Sequence, residues 1–295
     1  MTELQENPGT APTLAEVVES IDALWPFSLT EEWDRTGVVV GRMDKPVRSI
    51  LVAVDPVADV VTQAIEGGFD LLITHHPLLL KGVNSVSDET AKGEMVMRLA
   101  EAGCALVCTH TNADQPEGGV SQILADILGL TEQRPLAPAK NGPDDAGIGR
   151  VGVLAEPVSL ASFAQRVARS LPRVAGGVRV AGDLQAEVRT VAVCGGAGDS
   201  LFDDVRASGA DVYVTSDLRH HPASEARETA RGGTPFLIDT AHFASEWVWV
   251  PFAAQALKRH LASRGLSVQA AVSELVTDPW DAVFFPERGA AGAES

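Results

Sequence analysis

Histidines are the residues of this 295-residue chain whose types and spacing most clearly indicate chemistry. His75 and His76 come directly after the apolar run 71–74, and Pro77 ends the strand that this run predicts. In open α/β proteins, loops at the carboxyl ends of strands converge outside the sheet and bind ligands. Six of the seven histidines follow predicted strands in this way, namely His75, His76, His110, His220, His221 and His242. Taken alone, a histidine pair at a strand end is as typical of a structural role, with one ring in the core and one in solvent, as of a functional site. The residues found near the pair must therefore decide between these interpretations.

Carboxylates accompany these histidines at regular distances along the chain. Asp114 lies four residues after His110, and Glu246 lies four residues after His242. Side chains four residues apart share one face of a helical turn, so His242 and Glu246 could grip one cation. Imidazole and carboxylate ligands suit Zn, Mn, Fe or Ni, and the absence of nearby thiolates argues against a structural cysteine site. The sequence therefore predicts a divalent metal site.

The double histidine favours two ions over one. If the chain stays extended, His75 and His76 point in different directions, so each could serve a separate ion. Glu246 could then bridge the pair, as in two-metal hydrolases whose ions lie ~3.5–4 Å apart. We therefore expect two divalent ions per chain.

The stretch from Asp217 through His220 to His221 is open to two interpretations. A helix N-cap followed by solvated histidines would have the same sequence as a functional loop. If the stretch is functional, His221 is the expected proton donor. Four basic residues are candidate phosphate partners, although such residues are mostly solvated on protein surfaces. They are Arg35, Arg42, Lys81 and Arg219.

The composition excludes several classes of partner. A net charge of −17 argues against nucleic acid, because phosphate binding relies on clustered Lys and Arg. The same charge would repel an acidic membrane surface, but a metal ion can invert the field within one cleft, so an anionic nucleotide is not excluded. No apolar run approaches the ~20 residues of a membrane span, and the N-terminus is polar, which together predict a cytoplasmic protein. The three cysteines predict buried thiols without a disulfide framework.

Short strands that alternate with helices predict an α/β fold. Strands are expected at 37–41, 49–54, 71–74 and 105–108, and helices at 13–24, 58–66, 92–102 and 120–128. Residues 131–147 carry three prolines and several small residues, which predicts a linker or a domain crossing. A further helix is expected at 160–171, and an edge strand or hairpin at 174–183.

The second half of the chain repeats the pattern of the first. The strand at 51–54 and the turn 68–70 (Gly-Phe-Asp) are echoed by a strand at 190–193 and the turn 209–211 (Gly-Ala-Asp). Two related α/β/α lobes that face each other would bring their strand ends onto one cleft. The expected organisation is a disordered N-terminus (1–12), a first lobe (13–130), a second lobe (131–235), a C-terminal segment returning to the first lobe (236–281) and a disordered tail (282–295).

Five motifs spread over residues 14–281 are specific in combination. They are Trp33-Asp34-x-x-Gly37, Ile73-Thr74-His75-His76-Pro77-Leu78, His110-Thr111-Asn112-x-Asp114 followed by Gly118-Gly119-Val120, Gly195-Gly196-Ala197-Gly198, and Asp239-x-x-His242-x-x-x-Glu246. Together they resemble the GTP cyclohydrolase 1 type 2 homologue family, also called NIF-three-like proteins. The resemblance implies a pair of α/β lobes with a dinuclear metal site between them, assembled into a toroidal homohexamer.

Carried over motif by motif, the resemblance also implies roles for individual residues. The implied metal ligands are His75, His76, Asp114, His242 and Glu246. His110 belongs to the same turn as Asp114 and would orient it or act as a general acid. Some members carry a large domain inserted between the halves, for which this chain has no room. Arg35 stands where Asn is usual, and Ser216 where Gly is expected, so substrate preference is expected to differ.

The sequence supports two hypotheses about function. The first is a dinuclear metal-dependent hydrolase of a nucleotide-like or heterocyclic small molecule, since a metal lowers the pKa of bound water toward ~7. If the family name describes the reaction, the imidazole ring of GTP opens at C8 of guanine. The alternative is a non-catalytic metal-binding protein, such as a metallochaperone, an assembly protein or a regulatory scaffold.

Overall fold

The computed structural model describes residues 10–140 and 142–285, which form a mixed α/β protein with two sheets. Its strands are β1 (Gly37–Val40), β2 (Ser49–Ala53), β3 (Leu71–Thr74), β4 (Ala105–Cys108), β5 (Thr131–Pro138), β6 (Gly147–Ser159), β7 (Arg179–Ala181), β8 (Glu187–Ala197), β9 (Val212–Ser216), β10 (Phe236–Thr240) and β11 (Gln269–Val272). Its helices are α1 (Leu14–Leu24), α2 (Ala58–Glu66), α3 (Ala91–Ala102), α4 (Thr111–Asp114), α5 (Val120–Ile127), α6 (Leu160–Ser170), α7 (Phe202–Ser208), α8 (His220–Ala230), α9 (His242–Trp247) and α10 (Trp249–Ser263).

The first sheet places the double histidine beside His110. Its strand order is β1-β4-β3-β2-β11, and only β1 runs antiparallel to its neighbour. Every residue of β3 and β4 is buried, which explains their unbroken apolar runs, because parallel strands are covered on both faces. Thr74 pairs with Cys108 at the ends of these two strands. The residues that follow each strand therefore emerge side by side.

The second sheet contains a parallel core of three strands within an otherwise antiparallel arrangement. Its order is β5-β6-β8-β9-β10-β7, with β8, β9 and β10 parallel. The predicted repeat has a structural counterpart in two equivalent aspartates. Asp70 accepts hydrogen bonds from the backbone N–H groups of Arg48 and Ser49 at 2.7 and 3.2 Å. Asp211 accepts hydrogen bonds from the backbone N–H groups of residues 189 and 190 at 2.9 and 2.8 Å. In both lobes, an aspartate just before one parallel strand thus binds the backbone of the neighbouring strand.

The segment predicted as a linker, residues 131–147, instead contains the edge strand β5. This strand pairs antiparallel with β6, and Pro135 and Pro138 lie within it. A proline cannot donate to a ladder, but an edge strand has a neighbour on one side only and tolerates it. The linker interpretation was therefore wrong for residues 131–138, because the prolines were interpreted as breaks. The alternative of a domain crossing stays a prediction. The edge strand predicted within 174–183 is confirmed as β7.

The end of the chain contributes to both sheets. Strand β10 belongs to the second sheet, whereas β11 pairs in parallel with β2 of the first. Between them, α10 buries Trp249, Leu257 and Leu261 in the same apolar core as α1. Thr13 caps α1 as predicted, and Glu16 completes the capping box. These contacts hold α9, which precedes α10, between the two sheets.

The two predicted disordered tails lie mostly outside the described residues, since 1–9 and 286–295 are not described. Within the N-terminal stretch, Thr10 forms a bridge with Leu266, and the carbonyl of Pro12 accepts from the N–H of Val47 at 2.7 Å. Residues 10–12 thus pair with the rest of the chain. None of the helices in the described ranges is both long and apolar enough to cross a membrane.

Candidate metal centre

Four imidazole rings meet at the carboxyl ends of the strands. His75 and His76 follow β3, His110 precedes α4 after β4, and His242 begins α9 after β10. The ring of His76 lies 5.2 Å from that of His75, 5.5 Å from that of His110 and 5.1 Å from that of His242, measured between centroids. The structure thus brings together four of the six histidines selected from the sequence, drawn from both halves of the chain.

Glu246 contacts three of the four rings, those of His75, His76 and His242. It is only 3% exposed, and its Oε1 and Oε2 lie 3.0 Å from Nε2 of His242 and Nε2 of His76, respectively. Nε2 of His75 is 3.6 Å from Oε1 of Glu246 and 3.7 Å from Oδ1 of Asp114. The four-residue spacing of His242 and Glu246 on one helical turn produces this contact, as predicted from the sequence.

Every ring is held through its Nδ1 atom by an oxygen behind it. The acceptors are the carbonyl of Thr109 for His75 (2.9 Å), Asp55 for His76 (2.7 Å), Asp34 for His110 (2.8 Å) and Asp217 for His242 (2.7 Å). A carbonyl can only accept, so Nδ1 of His75 carries a proton, and its Nε2 is directed toward Glu246 and Asp114. This outer arrangement fixes tautomer and orientation in metal-ligating histidines.

Asp55 is the functional residue that the sequence interpretation missed. It follows β2 by two residues, so it also lies at the carboxyl edge of the first sheet. Asp34, expected to secure the cleft wall, and Asp217, left open between capping and function, both hold a ring. A carboxylate directly after a predicted strand was the available signal for Asp55.

The charges of the cluster are strongly coupled. Burial alone would raise the pKa of Glu246, but the surrounding histidines outweigh it and hold that pKa well below its usual range. Burial alone would lower the pKa values of His76 and His242, but Glu246 and the outer aspartates raise them to about 10 and about 11. Burial raises the pKa of Asp114. In the absence of a metal, the rings of His76 and His242 therefore hold their protons more strongly than free histidines do.

The cluster fits a divalent cation. Two nitrogen or oxygen ligands that each lie about 2.1 Å from one ion are about 3.0 Å apart when the ligand–metal–ligand angle is a right angle, and about 3.4 Å apart when it is tetrahedral. The two 3.0 Å contacts of Glu246 with His76 and His242 match this range. Nε2 of His75 is buried without a hydrogen-bond partner. A Cβ at Gly196 would lie 2.3 Å from Oε1 of Glu246 and 3.0 Å from Nε2 of His242, so only glycine leaves this space open.

The potential ligand atoms form two groups that share His76. In each group, one atom per residue lies within 4.8 Å of the others. The groups are His75, His76 and His110, and His76, His242 and Glu246. His110, expected to orient Asp114 or act as a general acid, thus also lies within ligand distance. Asp114 borders the first group through His75.

His221 lies outside this cluster. It is exposed at the start of α8, where its ring lies 5.2 Å from that of His220. In the described ranges, neither ring makes an ion pair or hydrogen bond with the four clustered histidines. Arg219, not Asp217, occupies the N-cap of α8, and none of the described side chains caps this helix. The role of His221 as a proton donor stays a prediction.

A buried arginine, Arg150, joins the turn after Asp114 to the second sheet. It is 2% exposed, and its guanidinium donates to the carbonyls of Gln115 and Pro116 at 3.1 Å each. It also donates to the carbonyl of Gly147 at 2.7 Å. Since β6 carries Arg150, this contact fixes the first-lobe turn that bears Asp114 against the second lobe.

A cleft of about 1120 Å³ opens beside the cluster. Its floor includes His76 and His242 with Asp55 and Asp217, and its sides come from residues 175–179 and from the segment 277–285. None of the four candidate phosphate partners lines this cleft among the described residues, and Arg219 instead pairs with Asp199. The cleft therefore connects the cluster to the surface without those cations.

Comparison with known proteins identifies relatives of the whole fold. A Streptomyces coelicolor protein named GTP cyclohydrolase 1 type 2 homolog is 48% identical over 273 residues, covering 92% of this chain and 94% of the relative. A Clostridium acetobutylicum protein of the same name is 30% identical over 260 residues, covering 88% of this chain and 95% of the relative. The crystal structure of a Bacillus cereus protein related to NIF3 has a TM-score of 0.86 at 25% identity, covering 93% of this chain and all of that one.

The family model described as Duf34/NIF3 (NGG1p interacting factor 3) matches residues 12–279. This range contains both sheets and the whole histidine cluster. The chain therefore belongs to the Duf34/NIF3 family.

Proposed function

We propose that this protein is a divalent-metal-dependent hydrolase with two ions per chain, acting on a nucleotide-like or heterocyclic small molecule. The observation that carries the proposal is the orientation of the four rings. Each ring makes a hydrogen bond through Nδ1 to an oxygen behind it. The Nε2 atoms of His75, His76 and His242 lie 3.6, 3.0 and 3.0 Å from the carboxylate of Glu246. Metal-ligating histidines typically donate the N–H of their other ring nitrogen to a carboxylate or carbonyl oxygen, as these four rings do.

Each side chain has a defined part in the proposed reaction. His75, His76, Asp114, His242 and Glu246 would hold the ions. A bound divalent ion lowers the pKa of water toward ~7 and polarises the bond under attack. His110 has a ring nitrogen within 4.8 Å of ring nitrogens of His75 and His76 and is 16% exposed, so it would serve as a further ligand or hold the proton of the leaving group. Asp34 keeps the ring of His110 oriented for either task.

GTP is the first substrate to test, because the relatives' name refers to a GTP cyclohydrolase. Zinc-loaded and manganese-loaded protein would be incubated with GTP and with a panel of cyclic amides and phosphoesters. We expect metal-dependent turnover of at least one compound, with formate released if an imidazole ring opens. Turnover by Glu246→Gln protein equal to the unmodified protein, or no turnover at all by metal-loaded protein, would contradict the proposal.

A second candidate function is metal delivery without catalysis. It is favoured by the partial exposure of His242 (31%) and of Asp217 (58%), because an open ligand set can release its ion to a partner. A competition assay with a fluorescent zinc chelator would distinguish the two. Release within seconds combined with no turnover favours delivery, whereas retention over hours with turnover favours the hydrolase.

We also propose that the chain assembles into a toroidal homohexamer in the cytoplasm, as the family resemblance implies. The three cysteines are buried and free, which is compatible with a reducing compartment. Light scattering coupled to gel filtration would give six times the chain mass of 31.0 kDa. A monomer under the same conditions would contradict the proposed assembly.

A further inference from the structure

The segment 277–285 forms one side of the cleft and is tied to the metal ligands. Thr277 Oγ1 donates a hydrogen bond to Asp55, whose other carboxylate oxygen accepts from His76. Upstream, Nε1 of Trp247 donates to the carbonyl of Ser273 at 2.9 Å. The segment is therefore anchored on both α9 and the outer partner of His76, and it presents its next residues to the cleft.

Aromatic surface lines this side of the cleft. Trp280 and Phe285 both line it, yet they are 70% and 86% exposed. Val283 also lines this side and is 48% exposed, and several exposed apolar side chains along one cleft are typical of a binding surface. The indole face of Trp280, beside the histidine cluster, can stack on a planar ring, since stacking tolerates many ring types.

The charges of the cleft oppose a polyanionic ligand. Four carboxylates line it, from Asp55, Asp217, Asp239 and Asp278, and Arg179 is the one Lys or Arg among the described lining residues. The guanidinium of Arg179 is already bound to Asp239. Within the described lining itself, four carboxylates therefore face a single guanidinium that is already paired.

We infer that the ligand of this cleft is a planar heterocycle without a triphosphate, stacked on Trp280 with its ring edge toward His76 and His242. This inference rests on the proposed function for the metal centre and narrows its substrate class. Triphosphate sites present several free cations or backbone N–H groups to the phosphates. The described lining of this cleft offers one guanidinium, which Asp239 already occupies.

Guanosine and GTP form a matched pair of probes, because they share the ring and differ in the triphosphate. Binding of each to zinc-loaded protein would be measured by equilibrium dialysis at 150 and 500 mM salt, with zinc content determined in the same samples. We expect guanosine to bind at least about tenfold more tightly than GTP at 150 mM salt. The gap should narrow at 500 mM because salt screens the repulsion.

Variants of the segment 277–285 test the two parts of the inference separately. Trp280→Leu should weaken guanosine binding at least about fivefold at unchanged zinc content, whereas Phe284→Leu, a neighbour outside the lining, should leave it unchanged. Asp278→Asn should strengthen GTP binding about twofold to fivefold without strengthening guanosine binding. The matched control Asp281→Asn, also outside the lining, should change neither.

Several outcomes would overturn the inference. These are equal or tighter binding of GTP, no binding of either probe, or a Trp280→Leu protein with altered oligomeric state and unaltered guanosine affinity. Failure of the proposed hydrolase is a separate result. Guanosine binding that depends on Trp280 without any turnover would leave the ligand class intact and remove the catalytic function.

Discussion

The two groups of potential ligands differ in how deeply they are enclosed. The group of His75, His76 and His110, called here the enclosed group, includes a histidine that is 1% exposed. Its outer carboxylate, Asp34, is fully buried. The group of His76, His242 and Glu246, called here the open group, borders the cleft through His242, which is 31% exposed.

The difference extends to the outer partners. Asp34 accepts from His110, from the N–H of Thr111 at 3.1 Å and from the Oγ1 of Thr111 at 2.6 Å. Asp217 holds His242 but is itself 58% exposed. Hydrogen bonds shielded from water orient a ligand more firmly than exposed ones. If the two proposed ions bind, we therefore expect the enclosed group to retain its ion and the open group to exchange its ion more readily. His76 belongs to both groups.

The largest expected effect comes from Glu246→Gln, which removes the charge that both groups face. We expect zinc affinity to fall about 100-fold or more, with loss of both binding phases. Isothermal titration calorimetry measures the phases, and circular dichroism checks the fold. The exposed Glu274→Gln variant is the matched control and should bind zinc normally. Two unchanged zinc-binding phases in the Glu246→Gln variant would contradict a role of Glu246 in both ligand groups.

Asp34→Asn should affect the enclosed group selectively. Asp34 also accepts from the N–H of Arg35, and an amide cannot accept from all four donors as a carboxylate does. We therefore expect the tighter zinc phase to weaken about 10- to 100-fold. The free energy of unfolding should fall by about 1–3 kcal/mol, because buried donors lose their acceptor. Urea denaturation measures this loss, with exposed Asp44→Asn as the control. A variant that loses the weaker phase instead would reverse the comparison.

Proton release provides a test of the coupled charges. The pKa values of His76 and His242 are raised to about 10 and about 11 in the metal-free cluster, so both rings are protonated at pH 7. A metal must displace these protons, and zinc affinity should therefore rise with pH, by roughly tenfold per unit for each proton released. Titrations at pH 7 in buffers of different ionisation enthalpy should report about two protons per chain. A heat of zinc binding that does not depend on the ionisation enthalpy of the buffer would contradict proton release.

Asp217→Asn should give the smallest change. Because Asp217 is solvated and only orients His242, we expect the weaker zinc phase alone to lose affinity, by about 10-fold at most. The tighter phase should match that of the unmodified protein in the same titration. An effect equal to that of Asp34→Asn would remove the distinction between the enclosed and open groups.

The sequence predicts the residues of the cluster better than the supports behind them. Strand ends and four-residue spacings are local, so His75, His76, His242 and Glu246 could be selected without a structure. Asp55 reaches His76 across 21 positions, a contact that depends on β2 and β3 being neighbours. Outer partners of this kind are visible only once the strands are paired.

The same distinction holds for the fold. Alternating patterns and the repeated turns predict two α/β lobes, because burial of parallel strands leaves apolar runs. The position of β11 beside β2 joins segments more than 200 residues apart and has no local signature. Strand β5 was missed because Pro135 and Pro138 are typical of turns, although an edge position accommodates them.

The most direct test of the central claim is the metal content of the purified protein and of its His76→Ala variant. His76 belongs to both groups, so its loss should disturb both ions. After zinc loading and dialysis, elemental analysis should find about two ions per chain in the unmodified protein and fewer than one in the variant, with unchanged circular dichroism. Fewer than one ion per chain in the unmodified protein, or equal content in both proteins, would contradict the account.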